Sequence, residues 1–383
     1  MNTSVVLVTG GRAPATLELI RSLGKQGHRI IVAESFPFHL SKASRYVFKH
    51  YDLPSPCKEY ERFVSELENI IRAEQVELLI PTCEEIFYIA KAKQHLSKHC
   101  RVFVDQFDKL ITLHNKYEFI KLAEHVGLVV PKTFLVESTE QLERLADKER
   151  PAILKPVYSR FSTSVRKLSG DESLPPLDIT PAFPWVYQHY IEGKQYCSYS
   201  VAYEGKLLLH SVYETEWTAG GGASITFAPV ESEQIKKWVE TFVAAYHFSG
   251  QIAFDFIKQG EALFAIECNP RLTSGIHLFR GVDISSAFLQ SYGQKLIQPN
   301  PEKQVALTLA MVLELSKLRT WKQWKEWLAV MQDAEDGVYE RGDWRPVSYQ
   351  FVSYFHLWRK ARRLKISILE ATTEDIQWDG DAT

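Results

Sequence analysis

The chain is poor in the features that usually announce a function. Only five of its 383 residues are cysteine (Cys57, Cys83, Cys100, Cys197 and Cys268), and none forms a CxxC pair. That excludes a disulfide scaffold and a thiolate zinc site, and points to a reducing compartment. No apolar run reaches the roughly 18 residues needed to cross a bilayer. The opening MNTSVVLVTGG has no basic segment ahead of its strand-length apolar run, so no secretory leader is expected and a soluble cytoplasmic protein is. With 45 basic against 47 acidic residues the formal net charge is -2, which offers nothing to nucleic acid or to an anionic membrane at long range. Neither a Walker A loop nor the three-glycine dinucleotide fingerprint occurs.

What the chain does contain begins with an α/β pattern. Ser4 to Thr9 is apolar, Gly10-Gly11 follows, and TLELIRSLGKQGHRIIVAES reads as helix then strand, the βαβ unit of a parallel sheet. Leu17, Ile20 and Leu23 share one helix face, and Glu34 ends the second strand, where dinucleotide-binding folds often place an acid. Without the glycine fingerprint, nicotinamide binding is a weak reading. A helix from Tyr60 to Arg72 and a strand from Val76 to Ile80 extend the sheet. Glu84 and Glu85 then fall at a carboxyl strand end, either at a substrate mouth or at the positive end of the next helix.

The texture changes near Asp108. Asn115-Lys116 heads a helix that stops at Gly127, and Ala152 to Pro156 is a short strand with Lys155 near its end. A lysine among apolar neighbours either snorkels or meets an anion. The loop VYSRFSTSV, with Ser159, Arg160 and Ser162, can cover phosphates with hydroxyls and backbone N–H groups. Trp185 to Gly193 is a strand entering a polar turn, and Gln195 to Ala202 alternates as another. Gly220 to Gly222 marks a flexible loop or a close backbone approach, and Ser232 to Phe248 is an amphipathic helix.

The stretch GQIAFDFIKQGEALFAIECNPR, Gly250 to Arg271, reads as strand, turn and strand. Glu267 and Asn269 leave one face of the second strand, and the hairpin can set Asp255 opposite them. Two carboxylates and an amide oxygen suit magnesium, a hard cation. The plain alternative is an edge hairpin with solvated acids. Alternation turns Cys268 away from this face, towards a core. His277 either orients a substrate and moves a proton or packs within a helix. Glu214 and Glu216 either meet a substrate ammonium or form a solvated strand face.

In order, Lys116, the strand with Lys155, VYQHYIEG and FDF…IECNPR resemble the ATP-grasp superfamily of carboxylate–amine and carboxylate–thiol ligases, over residues 1 to about 300. The resemblance implies α/β and α+β architecture: a Rossmann-like pre-ATP-grasp domain (1–112), a two-lobed ATP-grasp core (113–300) and a small C-terminal accessory domain (301–383). It implies ATP and Mg(2+) as cofactors and small-molecule carboxylate and amine substrates, and it is compatible with a homodimer. Lys116 and Lys155 would contact phosphates, Ser159, Arg160 and Ser162 would close over the transferred group, and Gln188, His189 and Ile191 would form the adenine hinge. Gln195 stands where many members place a ribose-binding acid. Asp255, Glu267 and Asn269 would hold magnesium, with Arg271 and His277 at the reacting centre. Ala253 replaces a basic residue common in relatives; together with Gln195 it keeps open a decayed, non-catalytic nucleotide-binding or scaffold protein. A thiol acceptor is the other alternative.

After Pro301 the pattern fades. VALTLAMVLELSKL reads as a strand or buried element, and Thr320 to Met331 as a helix whose tryptophans pack in a core. Phe351 to Arg363 is an aromatic helix with a basic end, which suits its C-terminal pole or an acidic acceptor. The closing TTEDIQWDGDAT is expected to fray.

Overall fold

Val6, Leu7 and Val8 are fully buried, so the first strand shows a continuous apolar run in place of alternation. The computed structural model describes residues 3–145, 151–158, 165–168, 177–219, 222–289 and 295–380. In it this run is β1 (Val5–Thr9), central to a parallel sheet with β2 (Arg29–Glu34), β3 (Val47–Asp52), β4 (Leu78–Ile80) and β5 (Arg101–Val102). The order is β3-β2-β1-β4-β5, and the register sets Val6 between Ile30 and Leu78. The helix Pro14–Lys25 starts on its proline and buries Leu17, Ile20 and Leu23. β3 is an edge strand with no fully buried position, so it lacks the apolar signal that marks its neighbours in the sequence. Gly10 has φ 74°, and a Cβ there would lie 2.4 Å from Thr82 Oγ1. Only glycine lets the turn after β1 press against the turn after β4. These turns flank the point where strand order reverses, the crevice in which open α/β sheets bind ligands.

The middle of the chain forms two antiparallel sheets. The first contains β6 (Thr133–Val136), β7 (Ala152–Pro156), β8 (Arg166–Leu168) and β9 (Trp185–His189), ordered β6-β9-β7-β8. The second begins with the hairpin β10 (Lys194–Tyr203) and β11 (Lys206–Glu214). The pair β12 (Thr218–Ala219) and β13 (Ala223–Ser224) follows, then β14 (Thr226–Phe227). The second sheet is completed by β15 (Gly250–Gln259) and β16 (Ala262–Asn269), in the order β11-β10-β15-β16. Between them runs the helix Glu233–Ala245, capped by the Ser232 hydroxyl. Its Trp238 and Phe242 pack edge-on to Phe254 of β15, which fixes the face that β15 turns inward.

The C-terminal region departs from the sequence reading in three places. VALTLAMVLELSKL divides into β17 (Val305–Ala306), a helix Thr308–Leu313 and a single 3-10 turn. β17 joins β14 and β18 (Glu335–Asp336) in a small sheet, so this region borrows a strand from the middle of the chain. The helix Trp321–Asp333 buries none of its residues, and Trp321 is 73% exposed; its tryptophans do not form the expected core. The closing stretch docks where fraying was expected. Ile376 and Trp378 are buried, Trp378 lies edge-on to Tyr88 and Phe107, and Asp375 pairs with Arg12 beside β1. The helix Arg345–Leu364 lies along the turn Leu40–Ala43, with His356 stacked on Phe38. The region from residue 301 therefore wraps back over the first domain.

Candidate active site

Pairing of β15 with β16 puts Asp255 directly opposite Glu267 and Ala253 opposite Asn269. The reverse faces of these strands carry Phe254 and Cys268 into the core, so alternation leaves the polar residues together on the other side. Burial and the neighbouring Glu267 charge push the Asp255 carboxyl up to about 6. Glu267 moves the other way: burial would raise it, but Lys116 and Lys155 hold it below the usual carboxylate range.

Lys155 comes from the facing sheet, whereas Lys116 heads a helix whose Phe119 and Ile120 share a core with Phe254 of β15. Asn115 caps the helix Lys116–His125 by accepting from the Tyr117 and Glu118 N–H groups. The Lys116 N–H donates to Val157 O, just past β7, and the Lys116 ammonium lies 3.4 Å from Glu267 Oε1. Lys155, on β7, donates to Gln188 Oε1 and to Ile266 O, each at 3.2 Å. It is 4% exposed, and burial lowers its ammonium to about 8. Gln188 in turn donates to Thr133 Oγ1 at 3.1 Å. The Gln188 side chain thus holds Lys155. His189 ends β9 half-buried, Ile191 follows half-buried, and Gln195 stands early in β10. Ser159, Arg160 and Ser162 lie outside the described residues.

Arg271 follows β16 and reaches both domains. Its Nη2 donates to Asn269 Oδ1 and its Nε to Glu84 Oε1, each at 3.2 Å. Glu84 is 2% exposed and stands just after β4, at the switch-point crevice. His114 is equally sheltered, with Nε2 3.9 Å from Glu84 Oε2, and its charge would also steady Glu267. The sequence left Glu84 between two roles and did not single out His114, although His114 lies two residues before Lys116. Glu85 is different. It accepts from Thr9 Oγ1 and from the Thr82 and Cys83 N–H groups, and so ties the two turns together.

The expectation for His277 does not survive the geometry. Its side chain is fully buried, stacked on Phe227 and 3.4 Å from Glu18 Oε2 on the helix Pro14–Lys25. Arg280 holds the same Glu18 oxygen at 2.6 Å. Burial would raise Glu18, but His277 and Arg280 bring it down to about 2, so this cluster pins the core to the first domain. Among the described residues no three His, Cys, Asp or Glu side chains converge as a metal cluster. The oxygen donors available are Asp255, Glu267 and the Asn269 amide. They fit a hard dication: two half-buried carboxylates face one another, and burial with the Glu267 charge raises Asp255, a cost that such an ion would relieve.

Residues 113–275 match the family model described as the ATP-grasp domain. The chain carries an ATP-grasp domain. Among solved structures, N5-carboxyaminoimidazole synthetase from Staphylococcus aureus, complexed with ADP, superposes with TM-score 0.62 at 13% identity, over 78% of this chain and 81% of that one. The L-amino acid ligase from Bacillus licheniformis gives 0.56 at 14%, over 75% and 71%. These likenesses establish the shared ATP-grasp architecture: a Rossmann-like domain, a two-lobed core and additional C-terminal elements. In sequence, 169 residues are 27% identical to the carbamoyl phosphate synthase large chain of Micrococcus luteus. That match takes in 40% of this chain but only 15% of the synthase.

Proposed function

We propose that this chain is an ATP-dependent ligase that phosphorylates a small-molecule carboxylate and passes the acyl group to an amine, releasing ADP and phosphate. The observation that carries the reading is the convergence of Lys155 from β7 and Lys116 from the helix Lys116–His125 on Asp255 and Glu267 of the β15–β16 hairpin. A carboxylate is a poor electrophile until one oxygen bears a phosphoryl group. Charge then develops on phosphate oxygens, and fixed cations in a dry site offset it without reorganising. Lys116 and Lys155 take that role, with Gln188 fixing the direction of the Lys155 ammonium. Phosphate oxygens beside it would move Lys155 further towards its charged form.

Asp255, Glu267 and Asn269 would hold magnesium, which when bound supplies Lewis-acid polarisation of the phosphates. Gln188, His189 and Ile191 line the adenine hinge, and Gln195 meets the ribose. Arg271, braced by Asn269 and Glu84, steadies the acyl phosphate and its tetrahedral successor. Glu84 brings the first domain to the same place, so the substrates enter through the switch-point crevice. An amino acid or a comparable small metabolite fits this reading.

The test is ADP and phosphate release over pooled amino acids, organic acids and bicarbonate, with product masses measured. ADP formation that requires magnesium and both substrates supports ligation. ATP binding without release for any pair would support the nucleotide-binding scaffold that Gln195 and Ala253 suggest. A thioester product would change the acceptor to a thiol, and AMP in place of ADP would replace phosphorylation by adenylation.

A further inference from the structure

Of the sixteen exposed large apolar side chains among the described residues, thirteen lie between Val312 and Leu364, so the need for a cover is confined to the C-terminal region. The helix Arg345–Leu364 carries the clearest part of it. Its inner face, with Pro346, Ser353 and Ala361 buried, rests on the first domain. On the outer face Phe351, Phe355 and Trp358 recur at helical spacing, 62%, 49% and 38% exposed. Arg359 lies over the Phe355 ring and Arg362 over the Trp358 ring, and exposed Arg363 follows. The helix has no acidic residue along its whole length, in a chain whose net charge is -2.

We propose that this outer face docks the protein on an anionic lipid surface, independently of the ligase reading. A second copy is the poorer occupant, because a two-fold contact would press the cationic stripe against itself. Charge complementarity requires a negative partner. The convex single-helix face presents aromatic rings and guanidinium groups side by side, so the rings can enter the headgroup boundary while the arginines stay at phosphate level. The attachment is peripheral, since no helix among the described residues is long and apolar enough to cross a membrane.

The experiment is co-sedimentation of the full chain with vesicles of phosphatidylcholine alone, or of phosphatidylcholine with about one third phosphatidylglycerol. Binding is expected to the anionic vesicles only, and to fall as salt rises. The double variant Phe351→Glu/Phe355→Glu should lower partition about tenfold or more. Arg359→Gln/Arg362→Gln should lower it about tenfold. Both keep the parent melting temperature, because the altered side chains face solvent. Equal binding to neutral and anionic vesicles, or unchanged binding by both variants, overturns the proposal. So does a concentration-dependent dimer abolished by Phe351→Glu/Phe355→Glu, which would make the occupant a second copy. Preference for soluble polyglutamate over anionic vesicles would make it an acidic protein.

Discussion

Around Arg12 each buried charge meets its opposite, whereas on the hairpin like faces like. Arg12 donates to Asp375 through both terminal nitrogens, at 2.7 and 2.8 Å, and to Glu34 and the Thr372 carbonyl. Burial would raise Asp375, but the Arg12 and Lys360 charges hold it far below the usual carboxylate range. Asp255, half-buried, moves up because burial penalises its charge and Glu267 stands across from it. The balanced cluster closes the fold by joining the last turn of the chain to the first strand. At the hairpin Lys116 and Lys155 answer Glu267 but leave Asp255 raised, a strain that the proposed cation would relieve. What separates the two clusters is Asp255 alone: it is raised, whereas Glu267, Glu34 and Asp375 are all held down by neighbouring cations.

The most severe break should come at Glu267. Glu267→Gln removes the charge that meets Lys116 and Lys155 and one donor to the metal; turnover in the ADP-release assay should fall about a thousandfold or more, with the melting temperature nearly kept. Turnover within tenfold of the parent would remove Glu267 from the chemistry. Next in size, Arg12→Ala strands Glu34 and Asp375 in the interior and should cost about 3 kcal/mol in denaturant unfolding. Its signature is early proteolysis of the C-terminal segment, because the Trp378 dock depends on the same clamp. An unchanged midpoint would mean that the clamp adds nothing.

Asp255→Asn tests the opposite sign. The folded carboxyl is raised to about 6, above its unfolded value near 3.9, so the folded state binds more protons between those values and loses stability as pH rises through that window. At neutral pH, without ligands, the variant should therefore be more stable than the parent by on the order of 1–2 kcal/mol, though it turns over poorly. Melting curves should show that advantage shrinking to nothing below about pH 4. A destabilised variant at neutral pH would show Asp255 to be satisfied in the fold.

These contrasts were unevenly legible in the chain. β1, the helix after it and the Gly250 hairpin announce themselves by run, spacing and alternation, and the placement of Asp255 opposite Glu267 follows from a hairpin of that length. β3 was silent because an edge strand needs no apolar face. The Arg12–Asp375 pair joins residues 363 positions apart, which no local pattern encodes, so a tail of mainly polar residues read as loose when it is pinned. His277 fell on the wrong side of an even choice: its place six residues after Arg271 suggested the reacting centre, while its partner, Glu18, lies 259 residues away. Of the tryptophans of Trp321–Asp333 only Trp327 meets a core, packing beside Met311, while Trp321 and Trp324 stay exposed, and spacing alone cannot report what a face meets.

The smallest expected effect lies between the two clusters, at Glu84. This residue belongs to the first domain yet holds Arg271 of the core, so it couples the folding scaffold to the site. Glu84→Gln keeps a hydrogen-bond acceptor for the Arg271 Nε–H but removes the charge. Arg271 should keep its place through Asn269 and bind its substrate less well oriented. The Michaelis constant for the phosphoryl acceptor should rise about threefold to tenfold, with that for ATP unchanged, because Glu84 holds Arg271 while Lys155 is held by Gln188 and Ile266 O. An equal rise in both constants would mean that Glu84 acts by setting the two domains against each other. A rise for ATP alone would place Arg271 on the nucleotide, moving it from the acyl centre to the phosphate side.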